Sequence, residues 1–231
     1  MQDPSRIPFI LEALRRTWEG QPDLSLPTLF AMLANEGVGW GSTDEQLLTV
    51  LQEMERVQPG RLPLVDARVT SPYLLVTESP DFRVTVGPSQ VITRRSGRVA
   101  QPGIWSYSAI RPAFVGQPLV ITDAEGIDHR LGVLVSCTLL ADVPLSLDGL
   151  TRRSLGDVSY LVILSNGDTV VVDHRLRLFS SGRRELHREE LTWEHLAVDG
   201  STLLVQRPGG AAPVTMGEVA EVHLLQAPAA C

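Results

Sequence analysis

The chain has 231 residues, of which 43% are hydrophobic and 20% charged, and its net charge is −7. These values are ordinary for a globular protein and allow one large domain or two small ones. No apolar run reaches the ~18 residues of a membrane span, and all twenty basic residues are arginine, which excludes a Walker A lysine, a pyridoxal phosphate Schiff base and a kinase-type phosphate lysine.

The first sixty residues predict a module of three helices. The first begins after the N-cap Ser5, ends at Gly20, and is expected to bury one apolar stripe: Ile7, Ile10, Leu11, Leu14 and Trp18. The second begins after Ser25, and the third begins after Ser42 or Thr43. The second is expected to turn its own apolar positions inward: Leu26, Leu29, Phe30 and Leu33. The turn at 58–60 closes this first domain, residues 1–60.

These helices carry a pattern found in a known family. The pattern is R-I-x-x-I-L-x-x-L from residue 6, Trp18, P-D-L-x-L at 22–26, L-F-x-x-L-A at 29–34 and T-D-E-x-L-L at 43–48. Over residues 5–56 it resembles the YihD-type family of small bacterial helical proteins, although the Gly-flanked Trp40 stands where that family has Phe. The resemblance implies a helical fold and a bacterial source. It implies no activity and no site residue, because the function of that family is undefined.

From residue 62 the pattern changes to short β-branched runs such as PYLLVTES, DFRVTVG and QVITRR. The run SYLVILSNGDTVVV predicts a hairpin with Asn166-Gly167 in a type I′ turn. About ten strands at intervals of about 8–12 residues predict a mainly antiparallel β barrel or sandwich over 61–231, as one domain or as subdomains 61–148 and 149–228. The charged segment 183–196 predicts a short helix. The expected fold class is therefore α+β.

The tetrapeptide Asp-His-Arg-Leu occurs twice in the β region, at 128–131 and at 173–176. A duplication would make the β region two related halves, but a repeat requires a sustained period. Two alternatives, chance and duplication, therefore stay open.

Metal and nucleophilic chemistry have weak support in the sequence. His187, Glu190 and His195 lie outside any H-E-x-x-H or C-x-x-C motif, and zinc sites favour such tight spacing. Cys137 lies eight residues after His129, which separates them by about 25 Å along a strand at ~3.3 Å per residue. We expect Cys137 in the core, and no catalytic residue, no metal and no cofactor.

Arginine-rich turns are the candidates for binding nucleic acid or another anion. The residues are Arg94, Arg95, Arg98, Arg152, Arg153, Arg183 and Arg184. Arginines beside aromatic residues on a β barrel suit RNA or single strands. The net charge of −7 opposes this reading, because a negative protein repels phosphates.

Trp18 and Trp40 are the candidates for binding another protein, since an exposed loop tryptophan is typical of an interface anchor. Residues 1–60 hold nine acidic residues and four arginines, which argues against DNA binding by this module. The N-terminus lacks the basic start of a signal peptide. We therefore expect a cytoplasmic, non-enzymatic protein-interaction module with no membrane partner. The alternatives are an RNA- or nucleotide-binding β module and an enzyme of unknown class.

Overall fold

The computed structural model describes residues 3–96, 100–181 and 186–230. These residues form three helices: α1 (Arg6–Glu19), α2 (Leu26–Asn35) and α3 (Asp44–Val57). They also form thirteen strands: β1 (Tyr73–Glu78), β2 (Phe82–Val86), β3 (Gln90–Arg95), β4 (Gly103–Ile110), β5 (Pro118–Asp123), β6 (Asp128–Leu139), β7 (Ser159–Leu164), β8 (Thr169–Val172), β9 (Leu176–Ser181), β10 (Leu186–Leu191), β11 (His195–Asp199), β12 (Thr202–Gln206) and β13 (Val214–Gln226). The predicted α+β class, with three N-terminal helices before an antiparallel barrel, is confirmed. Across the described residues, the helices are too short and too polar for a membrane crossing.

Helices α1 and α3 run parallel and pack through small side chains. An ion pair joins Arg6 to Asp44 at the start of both helices. Further along, the Thr17 hydroxyl donates to the carbonyl oxygen of Leu51 at 3.0 Å. Thr17, Leu51 and Ala13 are fully or almost fully buried at this contact. Because Ala13 and Thr17 are short, the two helices approach closely with little core between them.

Two of the predicted helix caps are confirmed. The Ser25 hydroxyl accepts from the amide three residues later at 3.3 Å. Thr43 and Gln46 form a capping box, in which each side chain accepts from the other's backbone amide. Ser5 is not a side-chain cap, because its own backbone is helical and its hydroxyl donates to Asp3 at 2.6 Å.

Gly20 ends α1 as predicted, but for a different reason than a left-handed cap. Its backbone is right-handed, with φ −70°. A Cβ atom at Gly20 would lie 2.0 Å from the carbonyl oxygen of Gln58 and 3.2 Å from the amide nitrogen of Gly60. Only glycine therefore lets the end of α1 meet the segment that follows α3.

Strands β1–β6 form a closed antiparallel barrel in which each strand pairs with the next and β6 closes on β1. The interior is apolar and includes Leu75, Val84, Val91, Leu119, Ile121, Leu134 and Cys137. Tyr107 adds a polar link inside the barrel: its hydroxyl donates to the Gly87 carbonyl at 3.0 Å and accepts from the Val69 amide at 3.3 Å. The expected core position of Cys137 is confirmed.

A bend in β6 allows the barrel to close. The first part of β6 pairs with β5 and the second part with β1, and both ladders contain a register shift. Gly132 lies between them with φ +95°, where a Cβ atom would approach the carbonyl oxygens of Glu78 and Pro80 to 2.5 and 2.7 Å. The bend thus requires glycine both for its conformation and for its close backbone approach.

The remaining strands form a seven-stranded antiparallel sheet in the order β10-β9-β8-β7-β13-β12-β11. This sheet curls around a second apolar core that includes Leu155, Val162, Val170, Leu176, Leu196 and Leu203. Trp193, in the connection between the two edge strands, is fully buried in this core, and its indole nitrogen donates to the Asp173 carbonyl at 2.8 Å.

Two details of the β region differ from the predictions, and the two copies of the repeated tetrapeptide differ in structure. The short helix predicted over 183–196 is wrong for the described part, which contains β10 and the start of β11. Pairing of β10 with β9 satisfies its backbone and overrides the helical preference of its charged residues. The β7–β8 hairpin is confirmed, but Gly167 has a positive φ and Asn166 does not, whereas a type I′ turn needs both. The repeated tetrapeptide is strand at 128–131 and mostly bend at 173–176.

The chain divides into two compact units. One unit comprises Met1–Leu140 with Ala229–Cys231 and contains the helices and the barrel; the other comprises Ala141–Pro228 and contains the curled sheet. Ala229 forms a bridge with Leu140, and the Ala230 amide donates to the Leu139 carbonyl at 3.0 Å. The chain therefore returns to its first unit after completing the second.

Candidate functional site

Large apolar side chains are exposed mainly on the helical module. Nine such side chains are exposed among the described residues, and five of them fall between residues 7 and 40. We call these five the exposed apolar set: Ile7, Phe9, Leu11, Phe30 and Trp40. Exposed apolar residues are normal singly, but a concentration of them on one small module indicates a surface that binds something.

Trp40 is the most exposed member of this set. Its relative accessibility is 107%, so the ring makes no burying contact with the described chain. It lies between Gly39 and Gly41, and Gly41 has φ +101°, a conformation that favours glycine. The Gly39 amide donates to the Ser42 hydroxyl at 2.9 Å, which ties this loop to the approach to α3. The loop therefore presents the indole to solvent.

The exposure of α1 follows from which face of the helix is buried. The predicted stripe of Ile7, Leu11 and Trp18 lies about 120° around the helix from Ala13 and Thr17, at ~3.6 residues per turn. The structure buries Ala13 and Thr17 against α3, so the expectation that Ile7 and Leu11 are inward is wrong. Phe30 of α2 is likewise half-exposed, whereas Leu29 and Leu33 are buried.

Trp18, the other candidate anchor, has a different environment. It is half-buried, and its indole nitrogen donates to the Leu24 carbonyl at 2.7 Å. This bond holds the segment between α1 and α2 against α1. The role of Trp18 in the structure is therefore to shape the module that displays Trp40.

The charges around Trp40 are negative. Residues 17–55 contain seven acidic residues and no basic residue. Glu36 and Glu45 flank the Trp40 loop, are exposed, and form no ion pair with any described residue. Arg6, at the start of α1, is occupied by Asp44. An apolar anchor within an acidic surface favours a partner that carries basic residues around its own apolar contact.

The arginines of β3 are separated by the strand geometry. Arg94 and Arg95 are adjacent and therefore point to opposite faces. The Arg95 guanidinium lies over the Phe82 ring, 5.5 Å from its centroid. Arg94 stands directly across the ladder from Arg83. These two predicted candidates thus do not form one joint surface.

The arginines of the other predicted turns are only partly within the described residues. Arg152 and Arg153 are exposed and line one cleft of the curled sheet. Arg98, Arg183 and Arg184 lie outside the described residues. The structure thus brings together one adjacent pair from the seven predicted arginines.

The candidate metal ligands do not converge. His187 and Glu190 lie on strand β10, where an offset of three places them on opposite faces. Within the described residues, no three His, Cys, Asp or Glu side chains form a group that would hold a metal ion. The short helix predicted over 183–196, which would have placed His187 and Glu190 on one face, is a strand at both positions.

A histidine–aspartate pair sits at the β5–β6 hairpin. His129 Nε2 and Asp123 Oδ2 are 2.8 Å apart, and the imidazole stacks on Trp105 at 4.6 Å between ring centroids. The bond from His129, followed by the bond from the Ile127 amide, holds the pKa of Asp123 below its usual value. Among the described residues no hydroxyl or thiol hydrogen-bonds to His129, and burial raises the pKa of the Cys137 thiol. The pair therefore locks the hairpin and has no adjacent nucleophile in that part of the chain.

Comparison with known proteins assigns the chain to no family. The YihD-type resemblance of residues 5–56 stays a prediction, and the function is inferred from the surface and charges described above. No family model matches the chain, and no curated protein or solved structure matches it.

Proposed function

We propose that this chain is a cytoplasmic bacterial protein that acts by binding another protein through its helical module, without a cofactor. The observation that carries the proposal is the full exposure of Trp40 between two glycines. Tryptophan is the side chain most enriched among residues that dominate binding energy, and leaving it in water forfeits its large apolar area.

The rest of the exposed apolar set supports a surface larger than one side chain. The Arg6–Asp44 ion pair brings the start of α1 to the start of α3, and Trp40 precedes Asp44 by only four residues. Four residues span at most about 14 Å of extended chain. Ile7 and Leu11, one turn apart on α1, therefore belong to the same end of the module as Trp40.

The acidic surroundings define the chemistry of the partner. We infer a protein segment with an apolar anchor flanked by arginine or lysine. A basic side chain of that partner can form an ion pair with Glu36 or Glu45 and a cation–π contact with the Trp40 ring. Nucleic acid is a poor occupant of the same surface because its phosphates meet only acids between residues 17 and 55.

The test is a photo-crosslink placed at the anchor in the full-length protein. Trp40→p-benzoylphenylalanine, expressed in the organism that encodes the chain, should give a covalent adduct with one discrete protein. The matched control is Ile127→p-benzoylphenylalanine, since Ile127 is also exposed but lies on the barrel hairpin. The proposal is contradicted if position 40 gives no adduct, or if positions 40 and 127 give the same adduct.

The adduct partner is then purified and titrated against the wild type and Trp40→Ala. Loss of a binding hot spot is worth about 2 kcal/mol or more, so the dissociation constant should rise about 30-fold. Leu11→Ala should weaken binding and Ile127→Ala should not. Equal affinity for wild type and Trp40→Ala contradicts Trp40 as the anchor, even if the partner is genuine.

A further inference from the structure

Arg152 and Arg153 occupy the two central positions of a turn whose shape is fixed by the residues on either side. The Thr151 amide donates to the Ser154 hydroxyl at 3.2 Å, and the Ser154 amide donates to the Thr151 hydroxyl at 3.1 Å. The two hydroxyl oxygens are themselves 2.8 Å apart. This reciprocal bonding holds the backbone of both arginines in one conformation.

The turn is also attached to the start of β11. The Arg152 amide donates to the Glu194 carbonyl at 3.0 Å, and Thr151 forms a β-bridge with His195. The two segments together line a cleft of about 690 Å³, whose residues include Arg152, Arg153, Glu194 and His195. This volume is within the range of about 300–1,000 Å³ that is typical of small-molecule sites.

The arginines at this cleft have no partner among the described residues. Among the described arginines, four make no ion pair, no side-chain hydrogen bond and no ring contact: Arg130, Arg152, Arg153 and Arg207. Arg152 and Arg153 line the cleft, and Arg207 directly precedes Pro208, which lines it too. In a chain with 27 acidic residues, two adjacent unpaired arginines at one cleft indicate a site whose counter-charge arrives with a ligand.

We propose that this cleft binds a small molecule that carries a phosphate monoester. Guanidinium groups match phosphate oxygens in charge and in planar, two-bond geometry, and two adjacent arginines balance a dianion. His195, a further residue of the cleft lining, carries an imidazole that can donate a hydrogen bond. The proposal concerns the curled sheet and is independent of protein binding by the helical module.

Glu194 narrows the class of ligand. Glu194 is an exposed residue of the cleft lining and forms no ion pair with a described residue. A carboxylate accepts hydrogen bonds and repels phosphate. The ligand therefore carries a hydroxyl or ammonium group near its phosphate. An RNA strand fits less well, because residues 112–231 hold fifteen acids and nine arginines.

The test is calorimetric titration of the full-length protein with phosphoethanolamine, glycerol 3-phosphate, ribose 5-phosphate and inorganic phosphate, with ribose as the phosphate-free control. We expect saturable binding of at least one phosphate ester and none of ribose. Arg152→Gln and Arg153→Gln should each weaken it about tenfold or more, the usual effect of losing a charge-assisted hydrogen bond. Arg130→Gln, an equal charge change away from the cleft, should leave it unchanged.

Glu194→Gln separates recognition from general charge. This substitution should strengthen the binding of inorganic phosphate. It should weaken the binding of phosphoethanolamine relative to that of inorganic phosphate. The proposal is overturned if no phosphate ester binds at about 10 mM, where a ligand with a dissociation constant of about 1 mM would fill about nine-tenths of the sites. It is also overturned if Arg130→Gln weakens binding as much as Arg152→Gln, or if single-stranded RNA binds and the esters do not. Unchanged melting temperatures of the ligand-free variants exclude misfolding as the cause of a loss.

Discussion

Replacing Gly20 with alanine tests whether the helical module depends on the close contact between the end of α1 and the segment after α3. The added methyl group would lie 2.0 Å from the Gln58 carbonyl oxygen and 3.1 Å from its carbon. Carbon and oxygen atoms in van der Waals contact are farther apart by more than an ångström. Both opposing atoms belong to the backbone, so no side-chain rotation relieves the overlap.

The expected loss of stability combines two opposing effects. Overpacking costs about 1–3 kcal/mol, and a clash with backbone belongs at the upper end of that range. Alanine recovers about 0.4–1 kcal/mol by restricting the unfolded chain. We therefore expect Gly20→Ala to lower the free energy of unfolding by about 2 kcal/mol, which corresponds to about 4–8 °C in melting temperature for a protein of this size.

The assay is urea unfolding of the full-length protein, followed by circular dichroism at 222 nm, where the helices dominate. Gly39→Ala is the matched control, because no atom lies within 4 Å of its added methyl group and its φ is not in the left-handed region. Its midpoint should equal or slightly exceed that of the wild type. Equal midpoints for Gly20→Ala and Gly39→Ala would refute the reasoning from close contact.

Three further predictions concern other parts of the molecule. Asp123→Asn should destabilise the protein at neutral pH; because the folded-state pKa of Asp123 is depressed, the difference from wild type should be complete above the unfolded value of about 3.9 and be lost in thermal melts as pH falls through the lower folded-state pKa. In a Cys231→Ser background, Cys137 should resist iodoacetamide in the native protein and react in denaturant, since it is buried and its pKa is raised; rapid native labelling contradicts this. The isolated fragment 1–60 should show a helical circular dichroism spectrum with cooperative melting, and a coil spectrum rejects the boundary.

Local sequence signals predicted where the helices begin. Contacts between elements determined which faces are buried and which segments are strands. Ser25 and Thr43 begin helices because their side chains reach amides three residues away, which a sequence reveals directly. The buried face of α1 was mispredicted because Ala13 and Thr17 carry little hydrophobic signal, yet their small size is what admits α3. The same limit applies to 183–196, where pairing with β9 outweighs local preference.

The candidate site shows a similar division. Trp40 was identifiable because glycines on both sides indicate a loop, but its exposure depends on how far three short helices can cover one another. The arginine pair at 152–153 was visible as a turn. The sequence does not show how this pair differs from Arg94 and Arg95. The difference depends on the contact of Arg95 with a ring and on the Thr151–Ser154 bonds, which form only in the folded chain.

The return of the chain to its first unit has a mechanical consequence. Residues 141–228 leave at Leu140 and come back at Ala229, and these two positions are bridged to each other. A pulling force applied between the helical module and residue 230 is therefore carried by the short junction at 139–140 and 229–230. The strands of the second unit bear no load until that junction separates, so the junction protects the curled sheet from tension.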